Sequence, residues 1–230
     1  MSENEFPELD PRLLSAVSFV RQGGVACDVG TDHAYLPIYA LLTGRCDRAV
    51  ASDVNAGPLR RARENARRWG VEDRLLCIRA DGLDGVNPEQ NEITDIVICG
   101  MGGELIARII DEAEYTRKSG VRLILQPMTM GRELRRYLLS HGFAILDEAL
   151  SRAAGKVYAC LCVAYGGGAE AYSEVELLLG RKNIERKEAL FGELAEKEVA
   201  KLEKRIEGLR RGGYDAAAEQ ALLDQIQRIM

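Results

Sequence analysis

The stretch FAILDEALSRAAGKVYACLCVAY, residues 143–165, decides the architecture. Two strand-like runs, 143–150 and 156–165, are separated only by residues 151–155, and a link that short joins strands only as an antiparallel hairpin. Upstream the pattern is different. Short β-rich runs at 25–29, 48–53, 74–80, 95–99 and 121–126 are mostly followed by amphipathic stretches, and that alternation builds a parallel sheet with helices on both faces. The sequence therefore predicts a doubly wound α/β sheet, parallel through five strands and finished at one edge by an antiparallel hairpin. This differs from the all-parallel sheet that binds dinucleotides.

Outward from the sheet, Asp10-Pro11 followed by Leu13, Leu14, Val17 and Val20 predicts a capped helix with proline at its first position, stopped by Gly23-Gly24. Beyond Gly166-Gly167-Gly168 the chain reads as helical from about Tyr172. Ala195, Val199, Leu202, Ile206 and Leu209 form an a/d seam, and Arg211-Gly212-Gly213 ends that helix. Asp215 can cap a second helix whose apolar face is Leu222, Ile226 and Ile229. Two helices across a short glycine turn predict an antiparallel helical hairpin. The expected division is residues 1–168 for the α/β domain and 169–230 for the hairpin. About two heptads fall short of a sustained coiled coil, so the hairpin reads first as a two-helix subdomain, with a substrate clamp or a dimerisation arm as its functional readings.

With 230 residues, 47% of them hydrophobic, the chain can bury one substantial core with an appendage. A net charge of -5 carries no global signal for nucleic acid, so any such partner needs local positive charge. Cys27, Cys46, Cys77, Cys99, Cys160 and Cys162 contain no CxxC pair and sit mostly within apolar runs, which predicts buried thiols in a reducing compartment and no zinc or other metal site. No secretory leader and no membrane-length apolar run is expected, and the cytoplasm is the expected location.

The chemistry gathers at strand ends. Cys27-Asp28-Val29-Gly30-Thr31-Asp32-His33 falls where the first strand turns into a helix, with one glycine where a pyrophosphate-binding GxGxxG has three. That argues against NAD or FAD and suits a ligand whose amino acid end presents an ammonium group to Asp28. Asp53 closes the second strand, 25 positions later, where an acid can take both ribose hydroxyls. Asp81-Gly82 closes the third, where a carboxylate can accept from an adenine amino group. Each acid alone could be a helix cap; three in succession make a nucleoside-shaped set. The fourth strand runs into Gly100-Met101-Gly102-Gly103, read as a loop before a helix near Glu104, where backbone and a soft methionine can meet a flat base. Gln126-Pro127 at the fifth strand end offers an amide to a base edge.

These motifs resemble the TrmK family of bacterial tRNA methyltransferases. The run Asp28-Val29-Gly30-Thr31-Asp32-His33-Ala34-Tyr35-Leu36-Pro37 carries the resemblance, with Cys99-Gly100-Met101-Gly102-Gly103 and Leu123-Ile124-Leu125-Gln126-Pro127; it extends over nearly the whole chain. It implies a class I Rossmann-like methyltransferase sheet plus a C-terminal α-helical hairpin, S-adenosylmethionine as cofactor, and methylation of N1 of the adenine at position 22 of tRNA. Asp28, Gly30, His33, Asp53, Asp81, Gly82, Gly100 and Met101 are implied cofactor contacts, and Gly102, Gly103 and Pro127 substrate contacts. The chain departs from the family in having Thr31 for Ser, Asp53 for Glu, and Met128 for the Asn that follows Gln-Pro. The first two changes keep the chemistry, and the third removes a polar group.

Adenine N1 attacks through an in-plane lone pair, so no general base is needed. The work is positioning, plus stabilising positive charge as it moves onto the ring; Asp32 and Gln126 are the catalytic candidates, near the N6 amino group. The Watson–Crick edge must first be freed from pairing. His33 reads equally as a packed structural histidine, and His141 as a helix C-terminal residue interacting with the dipole. Arg60, Arg61, Arg63, Arg67 and Arg68 share one side of a helix over residues 59–69, a solvated face or a phosphate-binding one. Arg181-Lys182, Arg186-Lys187 and Arg210-Arg211 add further cations. Read from the residues alone, two alternatives stay open: a methyltransferase for a small molecule or protein with a dimerising hairpin, and a non-catalytic nucleoside-binding module with a partner-binding arm.

Overall fold

The computed structural model describes residues 6–167 and 171–230; the expected domain boundary at 168/169 lies outside the described residues. Seven strands form one sheet: β1 (Gly24–Val29), β2 (Cys46–Asp53), β3 (Leu75–Arg79), β4 (Asp95–Gly102), β5 (Arg122–Thr129), β6 (Phe143–Ala153) and β7 (Lys156–Tyr165), in the order β3-β2-β1-β4-β5-β7-β6. The first five are parallel, and β7 runs antiparallel to both β5 and β6. The chain steps outward from β1 to β3, then returns to lay β4 on the other side of β1. That reversal leaves a crevice at the carboxyl ends of β1 and β4, where ligands bind in open α/β sheets.

Both faces are covered, which is why the central strands are apolar without alternation. On one face α1 (Pro11–Phe19), α2 (Tyr35–Leu42) and α3 (Ala56–Arg68) bury Val17, Ile38, Leu41, Ala62 and Ala66 against Ala49, Val97 and Ile124. On the other, α4 (Gly103–Glu112) and α5 (Gly131–Ser140) bury Ile106, Ile110, Leu134 and Leu138 against Ile96, Ile98 and Leu123. Asp10 caps α1 by accepting from the Arg12 N–H at 2.9 Å, with Pro11 at the first position. Leu14, expected on the buried side of α1, is exposed, because the helix seats itself on Ala16 and Val17.

Three strand ends differ from expectation. β4 does not stop at Cys99 but runs through Gly100-Met101-Gly102, so the glycine-rich loop is a distorted strand extension and α4 starts at Gly103. β5 likewise continues through Thr129. The register Cys99↔Gln126, Met101↔Pro127, Gly102↔Thr129 leaves Gly100 bulged on one strand and Met128 on the other, and such bulges re-aim side chains beside active sites. The hairpin loop is also tighter than the five residues expected: β6 and β7 pair as far as Ala153↔Lys156, and the turn is Ala154-Gly155, both at positive φ, the signature of a type I′ turn.

The β6–β7 hairpin overhangs the sheet. Pairing of β7 with β5 ends at Leu125↔Leu161, and Pro127, lacking an N–H, cannot extend it. Past that point the hairpin joins a second core, in which Val157 packs with Val175, Leu179, Phe191, Leu202, Ile206, Leu222 and Ile226. These come from α6 (Glu174–Leu179), α8 (Phe191–Arg211) and α9 (Ala217–Ile229), with α7 (Arg181–Arg186) alongside. The expected seam is present, with Ala195, Leu202 and Ile206 buried and Val199 and Leu209 at its margin. Ala216, not Asp215, is the α9 N-cap residue, although the Asp215 carboxylate still accepts from the Ala217 N–H at 2.9 Å. A buried pair bolts this arm to the sheet: Arg135 of α5 meets Glu148 of β6 at 2.7 Å and donates to the Leu177 carbonyl of α6, while Glu148 also accepts from the Lys182 N–H of α7.

Candidate active site

Asp28 stands one residue from the end of β1, 8% exposed. Burial pushes its carboxyl up to about 6, the charge of Asp53 adds to the rise, and the Thr31 side chain opposes it. The turn behind it is pinned to β2, because the Gly30 and Thr31 N–H groups both donate to the Ser52 carbonyl, at 2.8 and 2.9 Å. Thr31 Oγ1 accepts from the Ala34 N–H at 3.1 Å. Gly30 sits at φ +76°, and a Cβ there would collide with the Met101 terminal methyl, so Met101 lies across the turn. Asp53 ends β2 and accepts from the Asn55 N–H at 2.6 Å, which fixes its carboxylate at the strand tip. Asp81 follows β3, exposed, bridged to Asp84, and Gly82 packs on Ile109. The three acids thus stand along adjacent strand ends.

The bulge at Gly100 faces open space: nothing lies within 4 Å of where its Cβ would be, at φ +77°. Displaced from the ladder, its N–H donates to Gln126 Oε1 at 3.1 Å. Gln126 itself is 0% exposed; its oxygen also accepts from Arg12 Nη1 at 3.3 Å and its nitrogen donates to the Pro127 carbonyl at 3.1 Å. The amide therefore faces the fold and holds the bulge, which is a different task from meeting a base edge. Gly102 and Gly103 lie against Thr129 and Met130, and a Cβ on Gly103 would come within 2.5 Å of the Met130 carbonyl oxygen; close backbone approach is what this glycine permits.

Asp32 is 70% exposed at the mouth, bonded to Arg61 at 2.9 Å and to His33 Nε2 at 3.2 Å. His33 stacks on Tyr35 with ring centroids 5.3 Å apart, and its carbonyl accepts from Asn65 at 2.9 Å. The arginine row of α3 is partly engaged: Arg61 holds Asp32, Arg63 donates to the Cys77 carbonyl and Arg68 lies over Trp69, while Arg60 and Arg67 are exposed. His141 caps α5 and hydrogen-bonds the Tyr137 carbonyl at 2.8 Å, far from these residues in the chain.

The family profile of TrmK, described as tRNA (adenine(22)-N(1))-methyltransferase, matches residues 26–230. The chain belongs to the TrmK family. It is 32% identical over 173 residues to the tRNA (adenine(22)-N(1))-methyltransferase of Bacillus subtilis, covering 75% of this chain and 72% of that one. Among solved structures, a protein of the NADB-Rossmann superfamily from Streptococcus agalactiae superposes with a TM-score of 0.86 at 30% identity, over 97% of this chain and 98% of that one. A Streptococcus pneumoniae protein in complex with S-adenosyl-L-methionine superposes with a TM-score of 0.81 at 35% identity, covering 96% and 98%.

This TrmK member also has a groove of about 320 Å³ where β5 and β7 part. Met128, Met130 and Tyr158 line one wall, and Lys197, Lys201 and Arg205, spaced four apart on α8, line the other. Burial and the nearby Lys201 and Lys156 charges hold the Lys197 ammonium below its usual range. Among the described residues no helix is long and apolar enough to cross a membrane, and no cluster of His, Cys, Asp and Glu is arranged to hold a metal. Sequence reasoning missed Arg12, Ser52 and the α8 row. Arg12 is 114 positions from Gln126, and nothing in local spacing signals such a contact; the α8 row was legible as an i, i+4, i+8 repeat but was diluted by glutamates.

Proposed function

We propose that this chain transfers a methyl group from S-adenosylmethionine to N1 of adenine 22 in tRNA, in the crevice between β1 and β4. The observation that carries the reading is Asp28: an almost fully buried carboxylate with a raised pKa, no cation among its partners in the described residues, at the switch point of the sheet. A cationic amino acid end would relieve that cost. The remaining residues fit the rest of such a ligand, with Asp53 at the β2 tip for ribose hydroxyls, Asp81 and Gly82 beside the adenine position, and the open space over Gly100 beside Met101 and Gly30. The bound cofactor supplies a methyl already activated on a sulfonium.

The protein's part is placement and charge. Asp32, exposed at the mouth and steadied by Arg61 and His33, is the group assigned to the N6 side of the substrate adenine, where a carboxylate stabilises positive charge on the ring. Gln126 is assigned to holding the Gly100 bulge, and Gly102, Gly103 and Pro127 to shaping the wall the base meets. Met128 and Met130, both partly exposed beside the groove, offer soft faces to an unstacked base.

The arm, residues 169–230 in the proposed division from a catalytic domain of 1–168, holds RNA. Lys197, Lys201 and Arg205 line the groove, Lys201 paired with Glu198 and Arg205 with Glu219, and would exchange those partners for phosphates beside the target, while Arg60 and Arg67 extend positive charge on α3. A cytoplasmic location follows from this substrate.

Transfer of labelled methyl to unmodified tRNA transcripts, followed by nucleoside analysis, tests the reading. 1-Methyladenosine should form and vanish when adenine 22 is replaced. Cofactor binding with no transfer to any tRNA would overturn the substrate assignment.

A further inference from the structure

The β4 bulge creates a need that the sheet does not meet. Gly100 has no ladder partner and is itself exposed, but its N–H is directed inward at the fully buried Gln126 side chain in a part-buried bond, and a donor left unmet away from water costs about 1–3 kcal/mol. Gln126 Oε1 meets it. A carboxamide, however, has two chemically opposite ends of nearly the same shape, and rotation by half a turn would put its NH₂ against the Gly100 N–H. What fixes the correct end is a second donor on the same oxygen, Arg12 Nη1. With two donors aimed at Oε1, and Pro127 O accepting from Nε2, only one orientation leaves no donor facing a donor.

Arg12 is itself held for this. Asp10 accepts from its Nε at 2.9 Å and its Nη2 at 3.3 Å, Met128 Sδ lies 2.9 Å from Nη1, and the guanidinium stands 5.3 Å from the centroid of the Tyr158 ring. The side chain is 19% exposed. Arg12 therefore reaches both bulged strands at once: Gly100 through Gln126, and Met128 directly. Beyond Gly100 the next residue, Met101, lies across Gly30, so a chain of contacts runs from the start of α1 to the turn beside Asp28.

We propose that Arg12 is a positioning residue for the methyl transfer, acting through the Gln126 amide on the Gly100 bulge. This rests on the functional reading above, and the test separates the two. A lysine cannot serve both Asp10 and Gln126 with planar geometry, so Arg12→Lys should resemble Arg12→Ala in activity while keeping the charge.

The experiment compares wild type, Arg12→Ala, Arg12→Lys, Gln126→Ala and the double variant Arg12→Ala/Gln126→Ala. Hydrogen exchange of the Gly100 amide, read by NMR without any substrate, should quicken about tenfold or more in each variant. In the tRNA assay kcat should fall about tenfold or more, S-adenosylmethionine should bind more weakly because it meets the same bulge, and the double variant should match Gln126→Ala in both because the two residues act as one unit. Unchanged Gly100 exchange in Arg12→Ala would overturn the proposal, as would additive losses of kcat. Should no tRNA be methylated by wild type, the exchange measurement still decides the Arg12 link and the failure belongs to the substrate reading alone.

Discussion

Replacing Asp28 by asparagine should make the free protein more stable and the cofactor weaker. The carboxyl is raised from an ordinary 3.8 to about 6 by burial and by Asp53, and the charged form at neutral pH therefore costs the fold about 3 kcal/mol at most. Asparagine keeps the shape and removes the charge, but its amide must itself be satisfied, so a net gain of about 1–2 kcal/mol is expected, or a Tm higher by about 2–8 °C for a chain of this size. Because the folded pKa lies above the unfolded one, the favourable contribution of a protonated Asp28 is complete below about pH 3.8 and is lost as pH rises through about 6. The Tm difference between variant and wild type should accordingly be largest at pH 7 and shrink toward pH 4. With S-adenosylmethionine present the order reverses: wild type gains stability by mass action and the variant gains little. Thermal melts across pH 4–8, with and without cofactor, measure both effects. A variant that is less stable at pH 7, or that shows the same cofactor-induced rise as wild type, would refute the argument that an uncompensated carboxylate is kept there for a cation.

Three further outcomes follow from the geometry. Gly30→Ala places a side chain at φ +76° and displaces Met101; about 1–2 kcal/mol of stability should be lost, with cofactor affinity reduced about tenfold by titration calorimetry. Arg135→Ala leaves the Glu148 carboxylate buried without its partner, and urea unfolding should show a loss of about 3–5 kcal/mol; a loss below 1 kcal/mol would mean the arm does not depend on this pair. Lys197→Glu with Lys201→Glu should weaken tRNA binding and flatten its salt dependence by about two in the log–log slope, while cofactor binding stays at the wild-type value.

Much of the sheet was legible because burial on both faces writes continuous apolar runs, and the acids at the ends of β1, β2 and β3 could be placed from strand position alone. The β4–β5 extension was not. Gly100 to Gly103 read as a loop because glycines usually mark turns, and Pro127 read as a strand terminus; only the opposed bulges at Gly100 and Met128 reconcile both with a paired strand. The hairpin turn was set too wide because Ala154 adopts positive φ, where Asn or Gly is the expected residue. The six-residue helices α6 and α7 are too short to display a period. Gln126 was singled out as a polar residue at a strand end, but the group that turns its amide inward, Arg12, comes from an element on the far side of the sequence, and no spacing rule connects them.

The overhanging β6–β7 hairpin gives the molecule a fixed gauge. One end is set among the sheet strands and the other is a wall of the arm core through Val157, with Arg135 and Glu148 clamping the join, so the α8 lysines stand at a constant offset from the methionines at the crevice. An RNA seated along α8 would present to the crevice whichever nucleotide falls at that distance, and position along the fold of the substrate, more than the letters around it, would set the target. Lengthening both strands by two residues would carry the arm outward by about 7 Å, roughly one nucleotide, and the reaction would be expected to move with it.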